Sequence, residues 1–240
     1  MAAATAQDHD LVAVVGGDGT LNEVLNGLDV DRPVALLPVG TGNVLAKECR
    51  LPRAVGRFCE MVARGRERRL DLAAVEGRRF VSMVGAGFDA EVAARLAAGR
   101  AGPIRMWRYA GLILKALATY GAPKIAVSVE GGEPTEAQGF VLVSNVRSYG
   151  GPFAITPHAV PHDGWLDVCV LPRGGPARYV RAMLAFLLHC PRLSGTRYLR
   201  GRSVSLASSE PVRYQVDGDA AGFLPATLEM VDRRLRLIVP

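Results

Sequence analysis

Apolar positions fall into two regimes along the chain. Leu11 to Val15 is a short continuous apolar run that ends in Gly16-Gly17-Asp18-Gly19, after which Leu21, Val24, Leu25 and Leu28 recur at helical spacing. This predicts a strand, a glycine turn and a helix. Val34 to Leu37, Pro38 to Asn43 and Val44 to Cys49 repeat the arrangement. Two such units in succession predict a parallel, doubly wound sheet, in which ligands lie beyond the carboxyl ends of the strands. Near Asp71 the pattern changes. Phe80 to Val84, Ile125 to Val129, Phe140 to Val143, Leu166 to Leu171, Val204 to Leu206, Val212 to Val216, Thr227 to Val231 and Leu235 to Val239 read as strands, many with the alternation of a half-buried sheet. Helices are expected at Asp89 to Ala98, Ile104 to Tyr120 and Ala177 to His189. The expectation is an α/β unit over residues 1–72 followed by a larger sheet-based unit over 73–240, with the tail of the second free to return to the first.

Composition narrows the class. Of 240 residues, 49% are hydrophobic and 22% charged, which excludes a disordered, collagen-like or coiled-coil chain. The apolar stretch Ala182 to Leu188 is far short of the ~20 residues that cross a bilayer, and Met1 to Asp10 has no basic start or long apolar core. A cytoplasmic protein that does not span a membrane is expected. Net charge is +6, and only Lys47, Lys115 and Lys124 among the 29 basic residues are lysines. The basic excess favours anionic partners. Cys49, Cys59, Cys169 and Cys190 lack C-x-x-C spacing, so they read as structural thiols.

The loop Gly16-Gly17-Asp18-Gly19-Thr20-Leu21-Asn22-Glu23 carries the most chemistry. Its glycines let the backbone approach a ligand, and the helix beginning near Thr20 aims free amides at the same place, which suits phosphate. Thr20 and Glu23 also fit a capping box. Asp18 is an acid where anions are otherwise attracted, and a Mg²⁺ ion or a hydroxyl to be deprotonated would explain it. The loop is neither G-x-x-x-x-G-K-[ST] nor G-x-G-x-x-G, which disfavours Walker ATPases and ordinary dehydrogenases.

Gly16 to Gly27 (GGDGTLNEVLNG) and Leu37 to Ala46 (LPVGTGNVLA) resemble the diacylglycerol kinase catalytic domain of bacterial lipid kinases, sphingosine kinases and diacylglycerol kinases. The resemblance continues through Gly85 to Asp89, Ile155 to Pro157, Asp163 to Asp167 and Val216 to Asp219. It implies a nucleotide-binding domain like that of NAD kinases, then a β-sandwich, with the active site between them. It further implies ATP held by Gly16, Gly17, Asp18, Gly19, Thr20, Leu21 and Asn22, with Gly40 and Thr41 in the second glycine loop. A structural Mg²⁺ is implied at Asp163 with the backbone oxygens of Val160 and Trp165. Asp219 stands where the family has its general base, usually Glu, and Asp18 is a candidate helper. One methylene fewer withdraws a carboxylate by roughly 1 Å, a misplacement that can cost ~10²-fold. Read without the resemblance, Asp163-Gly164 and Asp217-Gly218 are tight turns.

Two departures stand out. Family members carry a further strand-helix-strand-helix segment before the first glycine loop, where only Met1 to Asp10 stand here, so a first domain lacking that part is expected, from a misplaced start or in a truncated paralogue. Val44 replaces an acid common in the family. His158 and His162 are four apart, but Pro157 and Pro161 interrupt any helix that would align them on zinc. Trp107 and Tyr109 fit an amphipathic, core-packing helix. Arg173, Arg178, Arg181, Arg192, Arg197, Arg200 and Arg202 are either scattered solvated residues or a surface for anionic lipid at the inner face of the membrane. No nucleic-acid motif accompanies the charge. A lipid kinase acting on diacylglycerol or a related lipid is the leading reading; a soluble NAD-kinase-like enzyme and a non-catalytic nucleotide- or lipid-binding module are the alternatives. A homodimer is left open.

Overall fold

The computed structural model describes residues 9–28, 31–98, 119–149, 153–171 and 195–240, with residues 177, 178, 181, 182, 185 and 188. The expected helix at Ile104 to Tyr120 lies almost wholly outside them, as do Trp107, Tyr109, Cys190, Arg173 and Arg192. Of the helix expected at Ala177 to His189, residues 177, 178, 181, 182, 185 and 188 are described; the first five are helical and Leu188 stands in a turn.

The first unit comprises β1 (Val12–Gly16), α1 (Asp18–Gly27), β2 (Val34–Pro38), α2 (Val44–Glu48) and α3 (Val55–Arg64). β1 and β2 pair in parallel, with Val12 opposite Val34 and Gly16 opposite Pro38. Both strands therefore end at one level, and the two glycine loops start side by side. α1 begins at Asp18, not near Thr20; Gly17 is its N-cap and no side chain caps it. The capping box is thus not formed. Its Glu23 pairs with Arg78 at 3.0 Å instead.

The chain continues through β3 (Glu67–Val75), β4 (Arg78–Phe80), β5 (Met83–Gly87) and α4 (Phe88–Ala98). It then adds β6 (Lys124–Val129), β7 (Thr135–Gln138), β8 (Phe140–Ser144), β9 (Ser148–Tyr149), β10 (Phe153–Ala154) and β11 (Leu166–Val170). The last five strands are β12 (Arg197–Gly201), β13 (Ser203–Ala207), β14 (Arg213–Val216), β15 (Asp219–Phe223) and β16 (Ala226–Ile238). One mixed sheet runs β1-β2-β16-β13-β6-β7, with β3 on β16 and β4 on β3; a second, antiparallel sheet runs β12-β11-β8-β5-β14-β15. The boundary expected near residue 72 falls inside β3, and β16 crosses it again: Leu237 pairs with Val34 of β2.

The two sheets face each other over Val84, Val141, Val143, Val168, Ile125 and Leu206. The opposite face of the antiparallel sheet is buried too. Phe140 and Leu142 of β8 and Cys169 of β11 join the core that includes Leu21 and Leu36. This explains why β8 and β11 are buried at every position. Each large aliphatic residue so buried contributes about 1.5–3 kcal/mol.

The run Phe80 to Val84 is not one strand. Arg78–Phe80 belongs to the mixed sheet and Met83–Gly87 to the antiparallel one, so Val81 and Ser82 carry the chain between layers. Conversely, the two strands expected after Thr227 are one, β16, whose register against β3 slips between Val231 and Arg234.

Candidate functional site

The site lies where the two glycine loops meet the hairpin of β14 and β15. Val39 N–H donates to Gly16 O at 3.0 Å, tying the loops at their start. A Cβ on Gly40 would sit 2.6 Å from the Cα of Gly17, so only glycine lets the loops touch. Asn43 closes the second loop, accepting from Gly40 N–H through Oδ1 and donating to Gly40 O. Thr20 and Thr41 are exposed beside this seam.

Asp18 points across the seam. Its Oδ1 accepts from Leu45 N–H at 3.3 Å in the first turn of α2, and its Oδ2 lies against Gly42. Burial pushes the carboxyl pKa up while amides of residues 43–45 pull it down. Asp18 thus fastens the second loop to the first.

Asp219 arrives from the opposite side. Asp217 (φ 49°) and Gly218 (φ 96°) make a two-residue turn between paired Val216 and Asp219, the positive-φ hairpin for which Asp-Gly is suited. Asp219 Oδ2 reaches to 2.8 Å from where a Cβ on Gly19 would stand. The candidate base and the first glycine loop are therefore in contact, although 200 residues separate them in sequence.

Asp217 has a different fate. It is buried, and its carboxylate accepts from Val81, Ser82 and Met83 N–H at 3.3, 3.0 and 2.9 Å and from Asn22 Nδ2 at 3.0 Å. Desolvation still lifts its pKa to about 6. Asn22 also donates to Arg79 O, and its Oδ1 accepts from Arg78. Asn26, one turn on, exchanges hydrogen bonds with the backbone of Arg79. Asn22 and Leu21, grouped with the nucleotide loop on sequence, thus face away from it: Leu21 is fully buried, and Asn22 clamps α1 to β4 and to the hairpin. The signal was present as two asparagines at i and i+4 in Leu-Asn-Glu-Val-Leu-Asn, one polar stripe on a helix whose other side is apolar.

A further brace was not expected. Buried Asp89, in the first turn of α4, accepts from Gln215 Nε2 at 2.7 Å, and Gln215 Oε1 accepts from Gly218 N–H at 2.5 Å. Burial raises the Asp89 pKa to about 6.

The proposed metal loop stands apart. Asp163 gives one oxygen to Trp165 N–H and the other to Arg200, Val160 O accepts from His162 N–H, and Asp71 Oδ2 takes Gly164 N–H at 2.6 Å. Mg²⁺ wants near-octahedral oxygen donors. The Asp163 carboxylate and the carbonyls of Val160 and Trp165 are hard oxygens of that kind, and in this structure Asp163 pairs with Arg200. Among the described residues no cluster of three or more His, Cys, Asp or Glu could hold a metal. His158 packs edge-on against Tyr198 instead of pairing with His162. No helix of the described residues is long and apolar enough to cross a membrane.

Comparison with known proteins agrees with this geometry. The diacylglycerol kinase catalytic domain matches residues 1–75, and the YegS C-terminal NAD kinase beta sandwich-like domain matches residues 82–239. Diacylglycerol kinase of Bacillus subtilis is 25% identical over 99% of this chain and 80% of its own length; that of Mycobacterium tuberculosis is 28% identical over 100% and 80%. Among solved structures, a diacylglycerol kinase from Bacillus anthracis superposes with a TM-score of 0.78 at 24% identity, covering 99% of this chain and 80% of that one. An NAD kinase from Archaeoglobus fulgidus in complex with ATP shares the fold at TM-score 0.53 and 14% identity, over 96% and 78%. The chain belongs to the family of the YegS C-terminal NAD kinase beta sandwich-like domain, which here follows a first unit matching the diacylglycerol kinase catalytic domain.

Proposed function

We propose that the chain is an ATP-dependent lipid kinase that phosphorylates the hydroxyl of a membrane lipid such as diacylglycerol. The observation that carries this reading is the contact between Asp219 and Gly19: an acceptor base and a phosphate-suited loop share one seam. Phosphoryl transfer needs positioning and charge stabilisation more than covalent chemistry. The N-terminus of α1 and the amides of Gly16 to Thr20 and of Thr41 hold the phosphates, while Gly40, its amide held by Asn43, lets the two loops touch. Asp219 accepts the proton of the lipid hydroxyl as its oxygen bonds to the γ-phosphorus and the bond to the β-phosphate oxygen breaks. Asp18 keeps the two loops in register, a positioning role rather than that of a base.

The seam also offers hard oxygens to a cation. Asp18 stands at the seam of the loops with its Oδ2 beside Gly42, and it would hold Mg²⁺ carried by the nucleotide while Asp219 stays free to act as the base. The ion's contribution when bound is to neutralise phosphate charge. The acceptor is placed at a membrane surface, with peripheral contact and no nucleic-acid partner.

The test is transfer of radiolabelled γ-phosphate from ATP into a total lipid extract. Label in a lipid spot is expected. Label in NAD instead, or in neither, would overturn the reading.

A further inference from the structure

Glu48 ends α2, and its side chain is only 5% exposed although it is charged. A carboxylate so placed needs partners, and these come from the second unit. Arg147 meets Oε1 with Nε and Nη2, each at 3.0 Å. Ser148 donates to Oε2 from its amide at 3.3 Å and from Oγ at 3.1 Å. One carboxylate thus joins α2 of the nucleotide-binding unit to the start of β9, which follows β8 of the antiparallel sheet.

Both ends of this link are anchored. Ser144 Oγ and Thr156 Oγ1 donate to Val146 O at 2.6 and 2.9 Å, which fixes the turn before Arg147. Asn145 donates to Ser82 O through its backbone N–H at 2.8 Å and to Val81 O through Nδ2 at 3.0 Å. Val81 and Ser82 are the crossover residues whose amides hold Asp217, two residues before Asp219. At the other end, the first turn of α2 is tied to the seam by Leu45 N–H on Asp18 Oδ1. A closed circuit results. It runs from Asp219 to Gly19, from Asp18 to Leu45, from Glu48 to Ser148, from Asn145 to Val81 and Ser82, and back through Asp217 to the hairpin that carries Asp219.

We propose that Glu48 is a positioning residue for phosphoryl transfer, setting the spacing between the glycine loops and Asp219. The inference rests on the kinase reading of the seam. The two loops are tied to each other within the first unit, by Val39 N–H on Gly16 O and by Asp18 on Leu45, so binding of ATP does not need the link. The transfer step does, because the second unit carries the base, and a small misplacement of reacting groups costs rate.

The experiment uses Glu48→Gln in the full chain. Glutamine keeps the shape, but the Arg147 guanidinium and the Ser148 amide are both donors, so its NH₂ group faces a donor on one side and half the link is broken. The expected result is a kcat about tenfold lower, with the Kd for ATP and Mg²⁺, measured by calorimetry without lipid, within about twofold of the parent's. Arg147→Gln should lose a similar factor and the double variant little more, because the two act through one link. Ser148→Ala, which keeps the amide, should lose less. Hydrogen exchange reads the link without turnover: in Glu48→Gln the amides of Ser148 and Leu45 should exchange faster, while that of Met83, held by Asp217, keeps its protection. An unchanged kcat, losses that multiply in the double variant, or a lower Tm with kcat unaltered where the variant is folded would overturn the proposal. Failure of the kinase reading shows differently, as a parent that transfers no phosphate to lipid; unchanged exchange at Leu45 then overturns the link by itself.

Discussion

Two Asp-Gly turns in this molecule share a sequence pattern and have opposite fates. In Asp217-Gly218-Asp219 the first carboxylate is swallowed, satisfied by three amides and Asn22, and the second is presented to the glycine loop. In Asp163-Gly164-Trp165 the first carboxylate is spent on Arg200 while a distant residue, Asp71, grips the turn's Gly164 amide and is itself held by Arg234 at 2.8 Å. An Asp-Gly pair specifies a tight turn. Whether its acid becomes reactive is set by what the rest of the chain brings to it.

This contrast can be broken from either side. Asp219→Ala should lower phosphoryl transfer by ~10²–10⁴, the usual worth of a general base, and leave Tm close to the parent's. Asp217→Ala, two residues away, should act on stability: it strands three buried amides and the Asn22 amide, and we expect a loss of about 3–5 kcal/mol in denaturant unfolding. If the two variants exchanged phenotypes, the assignment of presented and buried acid would be reversed.

Asp89 offers a smaller, pH-resolved effect. In the fold it keeps its proton up to about pH 6, whereas the unfolded chain releases it near pH 3.9. Between those values the native state binds more protons, so the stability it contributes is full below about pH 3.9 and is lost as pH rises through 6. Asp89→Asn should flatten that slope and be more stable at pH 7 by up to about 3 kcal/mol; an unchanged slope in pH-dependent melts would contradict the buried, protonated carboxyl. Smallest of all, Arg200→Gln should cost less than about 1 kcal/mol, because the pair with Asp163 is partly exposed.

The contrast also shows how far sequence could go. The strand-loop-helix of β1 and α1 was legible because glycine punctuation and helical spacing are local. So were β6, β8, β11 and β13, whose apolar runs need only a core. Strand β3 was not, since Glu67, Arg68 and Arg69 at its start look like a solvated turn and become a strand only because β16 pairs along the whole length. Strands β12 and β15 were hidden for the same reason. In the site, the loops and Asp219 could be picked out by motif, but their contact depends on the β14–β15 hairpin reaching across from the second sheet. Asn22, Asp217 and Asp89 work through partners 56 to 195 residues away, which no local pattern reports.

The central claim is that the glycine loop and the Asp219 hairpin form one site. A double-mutant cycle with Gly19→Ala and Asp219→Ala, read as γ-phosphate transfer into lipid, tests it most directly. A methyl at Gly19 displaces the Asp219 carboxylate, whose Oδ2 stands 2.8 Å from that position, while alanine within a helix is favoured over glycine by about 1 kcal/mol. The account predicts that Gly19→Ala keeps its stability, loses about 10²-fold in rate, and adds little further loss to Asp219→Ala. Losses that multiply, or a fully active Gly19→Ala, would show that the loop and the acid act apart.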